Sequence, residues 1–292
     1  MALAEPALGP LALSSPPRRR SALRMAVRRV SIGDRIALGA FVALTAFVIL
    51  VPWLAPYDPV KPVGTSYLPP GEGFLLGTDE VGRDLLSRVM WGMRTSWFAA
   101  FVVIATGVLI GGLIGLIAGS AGGWIDGLLM RVTDLFLALP GPVLAIAVVA
   151  ALGPSLQNTL IAVGIVWWPF YARIMRGEVW AMRSRPHLEA ARLAGVGPVR
   201  RAWRHLLPGA IPSMVVTASL DVGNLVLTLA GLSFLGLGAP APAPELGAMA
   251  ARGLPQLLEH WWIPVIPGIA VFLLALVANL AGDGMRDLIG DR

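Results

Sequence analysis

The 292-residue sequence contains no cysteine and little charge. Without thiols, disulfides and thiolate metal sites are excluded, and the sequence says nothing about the redox compartment. Only 14% of the residues are charged, against roughly 25% in a typical soluble domain, whereas 56% are hydrophobic. This composition predicts a protein of the lipid bilayer.

Lysine is almost absent, because Lys61 is the only one in the chain. A phosphate-binding loop of the form GxxxxGK[ST] needs a lysine followed by serine or threonine, and proline follows Lys61. The three histidines, His187, His205 and His260, lack metal-ligand spacing. No nucleophile–base pair or carboxylate dyad lies at membrane depth. We therefore expect no catalytic residue, no metal site, no cofactor in this chain and no ATP hydrolysis by it.

Long apolar runs are abundant, and a helical span needs about 20 mostly apolar residues. A run from Leu135 to Ala172 is too long for one crossing, and Gly153-Pro154 divides it. The predicted fold is an all-α polytopic membrane protein with six transmembrane helices. These cover residues 36–55, 97–119, 130–152, 157–178, 210–235 and 261–281.

The basic residues are distributed unequally between the predicted loops. With the N-terminus inside, 18 of the 23 Lys and Arg residues lie on the cytoplasmic side and 5 outside. This bias predicts both termini in the cytoplasm and explains the basic charge better than a nucleic-acid partner does. Residues 1–34 are predicted to be a disordered basic tail, and residues 35–292 the transmembrane domain. Its main connections are an outer loop, 56–96, and a cytoplasmic loop, 179–209.

The stretch LEAARLAGVGPVRRAWRHLLPGA, residues 188–210, lies in the cytoplasmic loop. Pro186 is typical of a first helical turn, and Gly195 is typical of a helix end. Glu189 lies four residues after Arg185 and three before Arg192, which is compatible with ion pairs along one helix. The pattern fits a solvated helix equally well as a helix presented to a cytoplasmic partner.

The outer stretch LGTDEVGRDLLSRVMWGMRTS, residues 76–96, has an amphipathic pattern. Its polar and apolar positions suggest an interfacial helix with one face on the membrane surface. The apolar set is Leu85, Leu86, Val89 and Met90, and the set expected to face water is Asp79, Arg83, Asp84 and Arg88.

Asp221 lies within the predicted fifth span. An ionisable residue at this depth usually faces a bundle interior or a wet cavity. We therefore predict that Asp221 lines the pore, with Asn224 on the same wet face. A small-residue face, suited to close helix packing inside the chain or against a partner, comprises Gly107, Gly111, Gly112, Gly115 and Gly119.

EAARLAG, followed by nine residues and HLLP, resembles the cytoplasmic signature of binding-protein-dependent ABC importer permeases. GTDxxGRDxxSRxxxGxRxS resembles their dipeptide/oligopeptide/nickel branch, and specifically its C-type peptide permeases. The stretches GGWIDGLLMRVTDLFLALPGP, LSFLGLG and NLAGDGMRD agree, so the resemblance covers about residues 30–292. One departure is Leu229 or a neighbour, where relatives often carry glutamate.

The resemblance implies a type I ABC importer permease fold and a role as half of a translocation pathway, most simply for di- or oligopeptides. It assigns an ATPase-coupling loop to Glu189, Ala190, Ala191, Gly195, Leu207 and Pro208. It assigns an outer-loop signature, which meets the binding protein or gates the channel mouth, to Gly77, Thr78, Asp79, Gly82, Arg83, Asp84, Ser87 and Arg88. Implied partners are a second permease subunit, two ATP-binding subunits that hold ATP and Mg, and an external substrate-binding protein.

Two alternatives remain at this point. Nickel or another small solute fits the same importer architecture. A self-contained secondary transporter is a separate class, which usually carries several paired intramembrane charges and an internal repeat. The implied location in every importer case is the cytoplasmic (inner) membrane of a bacterium or archaeon, crossed several times.

Overall fold

A computed structural model describes residues 31–71 and 73–290. Helix α1 spans Ile32–Leu54. It begins there because Ser31 and Asp34 form a capping box, in which each side chain accepts a 3.1 Å hydrogen bond from the other's backbone N–H. Of the predicted basic tail, residues 1–34, only residues 31–34 are among the described residues. Residues 32–34 belong to α1 and not to a tail.

Arg94 ties α1 to the next helix. Pro52 has no N–H, so it leaves a carbonyl of the preceding turn without its helical partner. The Arg94 Nη1 atom donates to the carbonyl oxygens of Val48 at 3.3 Å and Ile49 at 2.9 Å. The charged side chain thus compensates for a proline inside an apolar helix.

Helix α2 spans Leu85–Ala121 and has 37 residues, which corresponds to roughly 55 Å. Its N-cap is Asp84, whose side chain accepts a hydrogen bond from the Ser87 N–H. The predicted span of 97–119 is therefore only the second part of this helix. The outer loop ends at residue 84, and not at 96, because the cap starts the helix there.

The predicted third span, 130–152, is wrong as a single helix. The chain forms α3, Gly123–Leu137, and α4, Gly141–Leu152, which meet at an angle of 84°. Pro140 and Pro142 explain the break, because proline disfavours helical geometry in the preceding residue and lacks an N–H. The predicted division at Gly153-Pro154 is confirmed, since Gly153 caps α4 with a φ of 91°.

The remaining helices follow in order. They are α5, Leu156–Met182; α6, Pro186–Leu193; α7, Pro198–Arg201; α8, Leu207–Phe234; α9, Leu246–Gly253; and α10, Trp262–Gly290. A π-helical turn, Ala202–Leu206, joins α7 to α8 without a break. The fifth and sixth predicted spans therefore correspond to α8 and α10, both of which are longer than predicted.

Within the described residues, four helical segments are long and apolar enough to cross a membrane: α1, α2, the α7–α8 unit and α10. The bent α3–α4 pair would make a fifth crossing if it counts as one span. Helix α5 has 27 residues but is not among these segments; it has the polar Gln157 and Asn158 in its first turn and carries Arg173, Arg176 and Glu178 in its second half. The all-α membrane architecture is thus present, and the predicted number of six spans is not confirmed.

The glycine face of α2 packs inside the chain, against α5. A Cβ atom at Gly111 would collide with the carbonyl oxygen of Trp168, and one at Gly115 with that of Ala172. Glycine is therefore required for the close approach of the two backbones. Of the two predicted uses of this face, the internal one is correct.

Candidate functional site

The loop between α5 and α8 has the backbone that its sequence predicts. Pro186 occupies the first turn of α6, and Arg185 before it is extended. Gly195 has a φ of 76°, a conformation that costs glycine little, and it ends the helix through a 3.1 Å bond to the Arg192 carbonyl. This part of the loop, Pro186–Gly195, is called the coupling helix below, after the role that the sequence resemblance implies for it.

The coupling helix is packed against the protein on one side and exposed on the other. Leu188 is buried in an apolar cluster that includes Met182 and Leu206, the residues at its two neighbouring helix ends. Glu189 and Ala190 are exposed, and Leu193 is 89% exposed. An exposed leucine beside an acidic residue and small alanines is a surface on which another protein can pack closely.

The predicted coupling residues fall into two groups. Glu189, Ala190 and Ala191 lie on the coupling helix, and Gly195 forms its end. Leu207 and Pro208 lie in the first turn of α8, where Leu207 packs against the same apolar cluster as Leu188. The cluster therefore links the helix to the start of α8.

The surroundings of Glu189 do not match the interpretation of the loop as a solvated helix with ion pairs along it. Spacing suggests pairs with Arg185 and Arg192, yet in residues 31–71 and 73–290 no salt bridge within 4.0 Å involves Glu189. The carboxylate instead lies in the first turn of the helix, where it complements the positive end of the helix dipole.

The outer-loop signature is a buried polar cluster centred on Asp79. One oxygen of Asp79 accepts 2.9 Å bonds from the backbone N–H groups of Val81 and Arg83. The other lies 2.6 Å from Arg83 Nε and 3.2 Å from Arg88 Nε. Asp79, Arg83 and Arg88 are all at most 6% exposed, so the Asp79 carboxylate lies between two buried guanidinium groups, and Arg83 Nη2 also bonds to Glu80 at 2.9 Å.

The other signature residues hold the outer loop on the start of α2. The Thr78 hydroxyl joins two positions of the loop, since it donates to the Thr65 carbonyl at 2.7 Å and accepts from the Leu68 N–H at 2.9 Å. The Ser87 hydroxyl donates to Asp84 at 2.6 Å and accepts from the Tyr57 N–H at 3.0 Å.

Arg88 extends these links to the segment before α9. Its Nη1 atom donates to the carbonyl oxygens of Pro59 at 2.6 Å and Pro242 at 3.2 Å. Gly77 and Gly82 have φ values of 77° and 81° and complete the tight turns of the signature. The signature residues therefore hold the loop together from within.

The amphipathic interpretation of residues 76–96 is wrong. The four charged residues expected to face water are buried, as is Leu85, which was expected on the membrane surface. The physical reason is that Arg83 bonds to Asp79 and Glu80, and Arg88 bonds to Asp79 and backbone carbonyls, which replaces their hydration.

Asp221 is buried between α5 and α8. One carboxylate oxygen accepts a 2.8 Å bond from Trp167 Nε1 and a 3.0 Å bond from the Tyr171 hydroxyl. Asp221 is 7% exposed, whereas Asn224, one turn later, is exposed. The structure thus places the two residues in different surroundings and does not give them a shared face; a pore-lining role for Asn224 stays a prediction.

The interhelical partners of charged residues were missed by the sequence reasoning. Arg176 of α5 makes two 2.6 Å bonds to the Asp126 carboxylate of α3. Trp167 and Tyr171 both bond to Asp221. Their spacing of four residues along α5 was the available signal, because it places both on one helix face.

Glu245, the N-cap residue of α9, was also missed. It is 3% exposed, and burial raises the pKa of its carboxyl to about 7, although the Ser233 hydroxyl and the N–H groups of Gly247 and Ala248 oppose the increase. The raised pKa means that the folded chain holds this proton more tightly than the unfolded chain does.

We expect this proton to make stability depend on pH. Because the pKa of Glu245 rises from 4.5 to about 7 on folding, stability should fall as pH increases through that interval and then level off. Glu245→Gln should flatten the fall in thermal midpoint between pH 5.5 and 7.5. The exposed Glu259→Gln variant is the control, and an equally steep fall in the Glu245→Gln protein would contradict the assignment.

These features define a class: a helical membrane protein with a fastened outer loop and an exposed helix between α5 and α8. The fold matches a solved chain of the MetNI methionine ABC transporter, titled as inward facing, with a TM-score of 0.56 and 20% identity over 70% of this chain and 97% of that one. Residues 111–292 match the family described as "binding-protein-dependent transport system inner membrane component". The chain belongs to this family.

Named relatives support the same assignment over most of the chain. A probable D,D-dipeptide transport system permease of Escherichia coli is 43% identical, with 82% of this chain and 81% of that protein covered. A di/tripeptide permease of Pseudomonas aeruginosa is 41% identical, covering 82% of each. A glutathione permease of Pectobacterium atrosepticum is 40% identical, covering 75% and 73%. The chain is therefore a multi-pass subunit of a cytoplasmic-membrane ABC transport system.

Proposed function

We propose that this chain forms one of two membrane-spanning halves of an ATP-driven importer for short peptides. The observation that carries the proposal is the coupling helix, which is exposed on one face and anchored by Leu188 on the other. Two ATP-binding subunits, which hold ATP and Mg, belong to the complex, and one of them docks on this face. A second permease subunit completes the pathway, and an external binding protein delivers the solute.

The roles of the coupling residues follow from their positions. Ala190 and Ala191 allow a close approach to a groove, Glu189 offers one negative charge in a basic loop, and Gly195 ends the helix. Leu207 and Pro208 begin α8, so a displacement of the coupling helix reaches the membrane helix through the apolar cluster around Leu188.

The proposed role of the outer-loop signature is indirect. Its charged side chains are buried, so they support the surface that meets the binding protein and are not the surface themselves. Exposed apolar residues on that surface, such as Leu75 and Val81, at 77% and 49% exposure, are available to a protein partner.

Short peptides are the proposed solute because the relatives with high identity are named as dipeptide, di/tripeptide and glutathione permeases. The test is a mild-detergent purification of the tagged chain from its native membrane, followed by reconstitution with the proteins that accompany it. We expect a second permease, ATP-binding subunits and ATP-dependent uptake of a labelled dipeptide.

Two results would contradict parts of this proposal. Uptake of nickel ions with no competition by dipeptides would support the importer architecture and show that the solute is nickel and not a peptide. Recovery of the chain alone, with solute movement driven by an ion gradient, would replace the importer by a secondary transporter.

A further inference from the structure

Helices α5 and α8 flank the coupling helix, and polar bonds join them at three levels. Near the start of α5, the Thr159 hydroxyl donates to the Leu237 carbonyl, just beyond α8, at 2.5 Å. In the middle, Asp221 accepts from Trp167 and Tyr171. Near the end of α5, the Ser213 hydroxyl donates to Glu178 at 2.8 Å.

Most of the packing of these two helices is directed elsewhere. Helix α5 packs chiefly against the glycine face of α2, and α8 packs chiefly against α10. Beyond the apolar cluster around Leu188, which includes Met175 of α5 and Met214 of α8, the α5–α8 contact therefore has less apolar packing to fix its register. A hydrogen bond depends on distance and angle, so polar bonds at three levels define that register more strictly than side-chain packing can.

Asp221 lies at the middle of the three polar levels of the α5–α8 contact. Its carboxylate is almost inaccessible, and both donors come from one face of α5. An unpaired carboxylate in such a place is costly, which favours the arrangement in which both donors stay in contact. Hydrogen bonds to a charged group are also stronger than bonds between neutral groups.

We propose that Asp221, Trp167 and Tyr171 are positioning residues that keep α5 and α8 together as one rigid unit, so that movement of the coupling helix turns both helices jointly. This inference rests on the proposed function for its role in transport. The Thr159–Leu237 and Glu178–Ser213 bonds fix the two ends of the same unit.

The experiment combines transport with a distance measurement. The chain has no cysteine, so Ile161→Cys on α5 and Leu227→Cys on α8, both at exposed positions, accept spin labels selectively when the other subunits are cysteine-free. Distances are measured by electron–electron double resonance, without nucleotide and with trapped nucleotide. The variants are Asp221→Ala and the milder pair Trp167→Phe with Tyr171→Phe, which leaves Asp221 in place.

In the otherwise unchanged protein, we expect the α5–α8 distance to be the same in both states. Both variants should broaden the distance distribution and lower peptide transported per ATP hydrolysed by about tenfold, the scale set by loss of hydrogen bonds to a charged group. Thr217→Val is the matched control, because its hydroxyl bonds only to Ser213 of its own helix.

The inference is overturned if the α5–α8 distance changes on nucleotide trapping in the unchanged protein, or if the Trp167→Phe/Tyr171→Phe pair leaves distance and coupling as they were. A further variant, Asp221→Asn, separates the two roles of Asp221. If it alters uptake and the Trp167→Phe/Tyr171→Phe variant does not, Asp221 lines the pore and is not a positioning residue. The nucleotide-free distance needs no transport activity, so failure of the peptide-importer proposal is seen separately, as absent uptake in the unchanged complex.

Discussion

Replacement of Glu189 with lysine is expected to reduce ATP-driven uptake to background and to leave the chain inserted in the membrane. The side chain is exposed on the coupling helix, so the change does not disturb a packed interior. It reverses one charge in a loop that is already rich in arginine. If Glu189 pairs with a cation of the ATP-binding subunit, reversal should weaken docking at least about thirtyfold, the size typical of losing a buried interfacial charge pair.

The measurement is copurification of the ATP-binding subunits, together with uptake in vesicles. Asp287→Lys is the matched control, since it makes the same charge reversal at an exposed site on a different helix, α10. Both variants lose an acidic side chain of similar size, and only the Glu189 variant should lose the ATP-binding subunits. Normal uptake by Glu189→Lys would remove Glu189 from the coupling surface.

The sequence predicts the helical class well because its strongest determinants are local. Apolar runs, the Ser31–Asp34 capping box and the Gly153-Pro154 break all act within a few residues. The coupling helix belongs to the same group, since Pro186 and Gly195 set its two ends through backbone geometry alone. Its start and stop could therefore be predicted before any tertiary contact was known.

The sequence-based predictions are wrong where the surroundings of a residue depend on distant parts of the chain. The 130–152 segment is apolar throughout most of its length, and hydropathy alone does not show how sharply Pro140 redirects it. The charges of the outer-loop signature suggest solvent exposure, yet Arg88 bonds to Pro242 across 154 positions of sequence. Such long-range partners leave no periodic pattern in a single sequence.

The surroundings of Asp221 likewise depend on residues that are distant in the sequence. Its depth in an apolar run predicts burial or a wet cavity, and only the positions of Trp167 and Tyr171 distinguish the two. Hydrogen bonds from both residues satisfy one carboxylate oxygen. The sequence thus identifies the residue, and the tertiary structure decides what it contacts.

Replacement of Asp79 with alanine is expected to be the most destabilising change in the outer loop. It would remove the carboxylate that lies 2.6 Å and 3.2 Å from the Nε atoms of buried Arg83 and Arg88. Arg83 would keep only the partly exposed Glu80 as an ion-pair partner, and Arg88 only backbone carbonyls. Removal of one partner from a buried ion pair typically costs about 3–5 kcal/mol. The two backbone bonds to Val81 and Arg83 are lost as well.

Chymotrypsin cleavage is a direct measure of this loss, because Tyr67 and Phe74 lie in the loop that the cluster holds. Asp58→Ala is the control in the same loop. Its 3.4 Å pair with Lys61 joins side chains that are 44% and 78% exposed, and solvent-exposed pairs contribute little to stability. We expect rapid cleavage of the Asp79→Ala protein and nearly unchanged cleavage of the Asp58→Ala protein. Equal resistance of the two variants would mean that the apolar contacts of the loop, and not the buried charges, hold it on α2.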